Sequence, residues 1–405
     1  MAFVDQSDAS NEAGAPATVS LLHPMIAGML AALVGFAGAF PIVLNGLASV
    51  GATPTMAASG LLALCVIKGL CGAGLSWRMR MPISIAWSTP GAALLITTGL
   101  PDGGFPVAVG AFLVAAALIG VAGLYRPFGR LVSSIPMSLA SAMLAGVLLE
   151  ICLEPVHAVQ SLPLLALPIV AVWAIGLRFF RLWAVPVAVV VTALIIAFAT
   201  KLPPGSLEHI APALQFVPPR FTLAALTSIA LPMFIVTMAS QNVPGLAVLR
   251  INGYTPDVAP IFVTTGLASG VIALFGGQSI NLAAITAALC AGPEAHPDPS
   301  KRWIAGAAAG FTYLALGLTA GLAAAFIAAS PPLLIQAVAG LALMGSMAGA
   351  LATALARDDE RLPAIITFAT TASGFAAFGI GPAFWGLIAG GALMVVLKWK
   401  WPGGR

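Results

Sequence analysis

The stretch Pro82-Ile83-Ser84-Ile85-Ala86-Trp87-Ser88-Thr89-Pro90-Gly91 decides how this chain is read. It opens on a strand-like run and then offers Ser88 or Thr89 as a helix N-cap, with Pro90 at or near the first helical position. The stretch predicts an extended piece followed by a half-helix. A second stretch, Gly276-Gly277-Gln278-Ser279-Ile280-Asn281-Leu282, likewise starts on glycines and polar residues before Ala283 to Leu289 continues as a helix. At an offset of 195, Ser84-Ile85 aligns with Ser279-Ile280 and Ala92-Ala93-Leu94 with Ala287-Ala288-Leu289. At an offset of 202, Gly51-Ala52-Thr53-Pro54 aligns with Gly253-Tyr254-Thr255-Pro256. These matches predict an internal repeat.

The surroundings of both stretches are apolar. Of 405 residues 60% are hydrophobic and only 7% charged, against roughly 25% charged in a soluble globular protein. Disorder needs low hydrophobicity, collagen a strict glycine period, and outer-membrane barrels alternate polar with apolar residues. What remains is an all-α polytopic membrane protein. Apolar segments fall near 25–50, 54–76, 82–99, 105–125, 133–153, 162–177 and 182–200, and again near 222–249, 257–276, 278–292, 303–329, 332–355, 362–379 and 381–398. Fourteen spans of about 20 residues fit the length without a separate soluble domain. An odd number of segments per half makes the repeat inverted, 7+7, and inverted repeats with matching broken helices mark secondary transporters.

With a cytoplasmic N-terminus, 14 of the 17 Lys and Arg fall on inside loops and the C-tail, only Lys201 and Arg220 fall outside, and Lys68 stays within a span. That asymmetry predicts both termini in the cytoplasm of a multi-pass inner-membrane protein. Residues 1–22 read as a disordered tail without a signal peptide, and residues 23–400 as one membrane domain. The net charge of +4 comes with no basic cluster suited to nucleic acid. Cys65, Cys71, Cys152 and Cys290 read as buried free thiols. Glu294-Ala-His296-Pro-Asp298 reads as a loop stabiliser rather than a metal site; no metal or organic cofactor is expected.

Non-helical backbone at membrane depth must be buried or line a cavity. Two half-helix N-termini there would each offer roughly half a positive charge and free N–H donors, which suits a carboxylate. Ser240-Gln241-Asn242-Val243-Pro244-Gly245 puts two amides and a helix breaker inside an apolar run, as substrate contacts or as helix glue; Asn45 reads as glue. Lys68 and Glu150 are the two charged side chains clearly within spans, hence proton-coupling candidates by default, with snorkelling as the alternative.

Pro232 to Arg250 and Gly276 to Pro299, the latter reading Gly-Gly-Gln-Ser-Ile-Asn-Leu-Ala-Ala-Ile-Thr-Ala-Ala-Leu-Cys-Ala-Gly-Pro-Glu-Ala-His-Pro-Asp-Pro, strongly resemble the benzoate:proton symporters of the BenE type. The likeness extends over the membrane domain from about residue 22. It implies uptake of an aromatic carboxylate, benzoate, with protons as the coupling ion. Through the wider class of uracil-type transporters it also implies a core (23–130 and 221–330) moving against a gate (131–220 and 331–400). That class commonly carries acidic residues where this chain has Gln241 and Gln278. The expected docking site comprises Ser88, Thr89 and Gly91, Ser279 and Leu282, with Gln241, Asn242, Gln278 and Asn281 donating amide hydrogen bonds and the ring against Trp87. One accompanying proton would remove the electrical cost of moving an anion inward, about 2.3 kcal/mol per 100 mV. Homodimerisation is left open. The alternatives are a transporter of another small anion or nucleobase and, behind it, an anion channel; no catalytic constellation suggests an enzyme.

Overall fold

The computed structural model describes residues 21–125, 136–199, 213–283, 285–377 and 382–398. The expected N-terminal tail lies outside these residues up to position 20, as do Arg126, Arg130, Lys201, Lys400 and Arg405. The chain is helical almost throughout. α1 (Leu22–Ala37) and α2 (Phe40–Ser49) form one apolar run interrupted by a turn at Gly38-Ala39. α3 (Pro54–Met79) starts at Thr53, whose hydroxyl accepts from the Met56 amide, and stops at Arg80, which takes a left-handed conformation. β1 (Ile85–Trp87), α4 (Thr89–Thr98) and α5 (Phe105–Leu124) follow, then α6 (Met137–Ser161), α7 (Pro163–Phe179) and α8 (Ala184–Ala199). The rest comprises α9 (Leu223–Arg250), α10 (Val258–Leu274), β2 (Ile280–Leu282), α11 (Ile285–Ala291), α12 (Trp303–Gly317), α13 (Ala320–Ala329), α14 (Pro332–Ala354), α15 (Arg361–Ala372) and α16 (Pro382–Lys398).

Every one of the fourteen apolar segments coincides with a helical element, but they are not alike. Among the described residues six helical runs are long and apolar enough to cross a membrane, or up to seven if the bent pair α12–α13 is one span. The segment expected as a single helix over 303–329 turns by 60° between Gly317 and Ala320. The second half-helix begins at Ile285 rather than Ala283, because the Ala283 amide still donates to the Ser84 carbonyl and prolongs the extended piece.

α9 carries two widened, π-type turns, Leu226–Ala230 and Met238–Asn242. Each ends two residues before a proline, Pro232 or Pro244. A proline has no N–H to give the preceding turn, and the ladder slips to the next carbonyl. Gln241 and Asn242 lie in the second of these turns.

The two interrupted segments meet. β1 and β2 pair antiparallel, Ile85 with Leu282, Ala86 with Asn281 and Trp87 with Ile280. The Ser88 amide donating to the Ser279 carbonyl extends the ladder. Neighbouring helices anchor β2: the Leu282 amide donates to Asn242 Oδ1 at 3.0 Å and the Ile280 amide to Ser269 Oγ at 2.9 Å. Backbone groups that lipid could not satisfy are thereby paired.

Around this ladder α3 packs on α12, α10 and α13, α5 on α10, and α1 on α11 and α12. A second group, α6, α14, α15 and α16, packs together with α7 on α8 beside it. Small residues set the close crossings in both, as is usual where hydrophobicity cannot drive helices together. On α3 and α12, Gly69 faces the Gly310 carbonyl and Gly310 faces the Gly69 carbonyl.

At one end of the second group Glu360 joins three elements. It accepts from Ser138 Oγ at 2.7 Å and from Lys398 Nζ at 2.8 Å, with Arg357 at 3.6 Å. The Lys398 ammonium and then the Ser138 hydroxyl hold its carboxyl below the ordinary glutamate value. A carboxyl lowered on folding stabilises the fold above its unfolded pKa, near 4.3, and that contribution is lost as pH falls through the lower folded value. Wild-type protein is therefore expected to exceed Glu360→Gln in thermal midpoint at neutral pH, and the gap to close under acid. A gap independent of pH would contradict the assignment.

Candidate functional site

A cavity of about 430 Å³ lies between the two helix groups, at the start of α4. Pro90 forms its floor; Val236, Ala239, Ser240, Gln241 and Pro244 of α9 form one wall. Met137, Ala140, Ser141 and Leu144 of α6 and Gly345, Ser346, Gly349, Ala350 and Thr353 of α14 form the other. Among the described residues the lining is mainly aliphatic, with hydroxyls and one amide and no charged side chain. A small apolar ring with one polar end fits such a lining.

α4 is aimed at this cavity for reasons local to its sequence. Ser88 is the N-cap, its Oγ accepting from the Gly91 amide at 3.1 Å, and Pro90 occupies the first turn where no N–H is needed. The Ser88 hydroxyl also lies 2.6 Å from Thr237 Oγ1 of α9. An added Cβ at Gly91 would sit 2.8 Å from Ser88 Oγ and 3.3 Å from Gln278 Oε1, so glycine keeps this cap tight.

The structure separates the expected site residues into two sets. Gln241 lines the cavity, half-buried and without a hydrogen bond among the described residues, while Thr89 and Gly91 adjoin the floor residue Pro90 in sequence without lining the cavity themselves. The others stand behind that floor as its support. Gln278 Nε2 donates to the Ser88 carbonyl at 3.0 Å, Asn281 Nδ2 to the Leu282 carbonyl at 2.7 Å, and Asn242 Nδ2 to Met238 Sδ. Their amide donors are thus committed to the protein. Gln278 Oε1 and Asn281 Oδ1 remain buried without a partner among the described residues. Ser279 and Leu282 are buried in the ladder, and Trp87 is buried against Phe36 and Tyr313, away from the cavity.

Of the two charged candidates, Glu150 is exposed on the surface of α6, whereas Lys68 is buried rather than snorkelling. Sequence reasoning missed Thr237, Ser141 and Ser346. The available signal was Gly345-Ser346-Met347-Ala348-Gly349, a small-and-polar stripe on an otherwise apolar helix.

Asn45 lines a second cavity, of about 270 Å³, with Ala48, Ala52, Ala57, Ala324, Ser330 and Ile335, and its Nδ2 has no partner among the described residues. The two cavities touch opposite ends of α14, the nearest lining residues, Ile335 and Gly345, being about 15 Å apart along the helix. In the loop after α11, Arg302 donates to the carbonyls of Ala291, His296 and Pro297, and His296 Nδ1 accepts from the Asp298 amide. The Ser300 hydroxyl and amide hold the Asp298 carboxyl below its usual range. These residues build a turn, and among the described residues no three His, Cys, Asp or Glu side chains converge on one point.

Solved structures share this architecture. The transmembrane domain of the cyanobacterium bicarbonate transporter BicA superposes with a TM-score of 0.61 at 17% identity, covering 91% of this chain and 97% of its own. The murine anion transporter Solute Carrier 26 family member A9, in its inward-facing state, gives 0.58 at 12%, covering 95% and 70%. At these identities the likeness establishes the fold. Sequence relatives are nearer. "Inner membrane protein YdcO" of Escherichia coli (strain K12) is 40% identical over 374 residues, covering 92% of this chain and 95% of the relative. The "Benzoate membrane transport protein" of Acinetobacter baylyi is 34% identical over 380 residues, covering 94% and 96%. The apolar helices and the inner-membrane relative support a multi-pass protein of the inner membrane. The BenE family model, described as "Benzoate membrane transport protein", matches residues 18–396, and the chain belongs to this family of membrane transporters, which are not enzymes.

Proposed function

We propose that this protein imports benzoate or a similar aromatic carboxylate together with protons by alternating access. The observation that carries this reading is the cavity at the start of α4: aliphatic walls for a ring, and at one end a helix N-terminus, a free Gln241 amide and hydroxyls for a carboxylate. Among the described lining residues the anion meets backbone dipole and neutral donors, with no arginine.

The moving parts are a core of α1–α5 with α9–α13 and a gate of α6–α8 with α14–α16. The cavity lies on the seam between them, and the second cavity lies on the same seam at the other end of α14. Packing supports an inverted 7+7 repeat behind this division. Contacts come in pairs exchanged between the halves, α3 on α12 with α10 on α5, and α7 on α8 with α15 on α16. The antiparallel ladder is its own counterpart, centred on Ala86 and Asn281, whose separation is the 195-residue offset seen in the sequence. The larger cavity is bounded by the start of α6 and the end of α14, next to Arg357 and Arg361. With positive residues inside, this is an inward-facing arrangement with cytoplasmic termini.

A thermal-shift screen of purified protein against benzoate, ring-substituted benzoates, uracil and sulfate tests the substrate. Benzoates are expected to stabilise and the others not; uracil alone stabilising would reassign the site to an amide-bearing ring. Accumulation of labelled benzoate in proteoliposomes under an imposed pH gradient, corrected for protein-free vesicles, separates transport from channel flow. Since Glu150 is exposed and does not line the cavity, Glu150→Gln is expected to retain proton-driven accumulation within about twofold, as surface substitutions generally do. Loss of coupling in that variant would make Glu150 the carrier.

A further inference from the structure

Lys68 is 1% exposed at the middle of α3, and its Nζ has no hydrogen-bond partner among the described residues. It sits between two rings, 3.1 Å from the centroid of Trp87 and 3.4 Å from that of Tyr313, whose centroids are 6.1 Å apart. The groups facing it are few. On its own helix there is Cys65, on α12 Tyr313, and beyond these Cys290 of α11. The segments of α2, α10, α13 and β1 that pack on α3 contain no Asp, Glu, Lys, Arg or His. No ion pair joins Lys68 to a carboxylate among the described residues.

An aromatic cage attracts an ammonium, but ring faces alone do not repay the burial of a charge that lacks a counter-ion. The amine is thus poised between neutral and charged, and an anion arriving nearby would tip it. Trp87, one wall of the cage, is the residue before Ser88, the cap of α4, and lies about 11 Å of backbone at most from Pro90 at the cavity floor. Adding the reach of the Trp87 side chain, the amine and the carboxylate would lie about 10–20 Å apart, and opposite charges at that range, at the effective dielectric of about 20 found inside proteins, favour each other's presence roughly four- to tenfold.

We propose that Lys68 is the proton-binding group of transport: it is mostly neutral in the empty protein and gains proton occupancy when a carboxylate binds at the start of α4. The loaded core then carries an ammonium and a carboxylate and crosses the membrane field with no net charge. On release of the anion the proton leaves the amine on the same side. Nothing is oxidised or reduced, and one proton moves with each anion. This deepens the transport reading above and rests on it.

The test is proton uptake on binding, measured with a pH-indicator dye in weakly buffered detergent solution near pH 7, where benzoate itself is ionised. Wild-type protein is expected to take up a measurable fraction of a proton per benzoate bound, at most about half a proton for a tenfold coupling. Lys68→Met, which removes a buried charge at little cost to packing, and Lys68→Arg, whose guanidinium stays charged, are each expected to take up none. The two variants guard against a folding defect in either. Binding by wild-type protein without proton uptake would overturn the proposal, Lys68 then keeping one charge state throughout. Uptake persisting in both variants would overturn it by placing the proton elsewhere, the substrate included. Failure of benzoate to bind wild-type protein at all would sink the substrate reading and this proposal with it, and the thermal-shift screen detects that case separately.

Discussion

Gly310→Ala is expected to leave little folded protein. A Cβ at this position would lie 2.4 Å from the Gly69 carbonyl oxygen, 2.8 Å from the Ala73 amide nitrogen and 2.9 Å from Ala73 Cβ. Two of these three atoms are backbone of α3 and cannot rotate aside. The crossing of α3 and α12 would have to open, and with it the contact between Tyr313 on one helix and Lys68 on the other. Overpacking of a tight core commonly costs 1–3 kcal/mol, and a clash with rigid backbone belongs at or beyond about 3 kcal/mol. That is a large share of a stability of about 5–15 kcal/mol. Thermal midpoint and monodispersity of the purified variant read the effect. Gly74→Ala makes the same chemical change on α3 where a new Cβ meets no atom within 4 Å, and is expected to behave as wild type. Equal midpoints for the two variants would show that the close crossing is not what holds these helices.

Gln241→Glu is expected to abolish benzoate transport at neutral pH while leaving the fold intact. Among the described residues Gln241 is the sole cavity-lining amide, it has no protein partner, and no positive side chain lines the cavity to absorb a new charge. A glutamate there would stand against the substrate carboxylate. At about 4 Å and an effective dielectric of about 20, like charges repel by about 4 kcal/mol, or roughly three orders of magnitude in affinity. Transport should recover in part as the medium is acidified and the new carboxyl takes up a proton. Initial uptake rates at two pH values, with Gln241→Asn as the control that keeps an amide, provide the measurement. Undiminished transport by the glutamate variant at neutral pH would place the carboxylate away from α9.

The difference between Gln241 and its neighbours shows where sequence reading reached its limit. Gln241, Asn242, Gln278 and Asn281 are the same kind of residue in the same kind of surroundings, and all four invited a substrate contact. Three of them spend their donors on Ser88, Leu282 and Met238. Gln278 meets Ser88 across 190 residues of chain, a partner no local pattern reveals. Trp87 looked available to a ring, yet Lys68 and Tyr313 already cover it. Lys68 illustrates the converse. Its depth in the span was legible, but whether a long flexible stem reaches the interface or folds into the protein depends on what packs beside it.

The covalent chain by itself determined that this is a helical membrane protein, where its apolar segments start and stop, and that two of them must be broken. Those features follow from hydropathy, proline and capping chemistry acting over a few neighbouring residues. Only the tertiary structure decided that the broken pieces pair as strands, that α12 and α13 part at Gly317, which amide faces the cavity, and that an unpaired amine sits between two rings. These depend on groups from distant segments competing for the same donors, acceptors and ring faces, and that competition is settled only once the helices have packed.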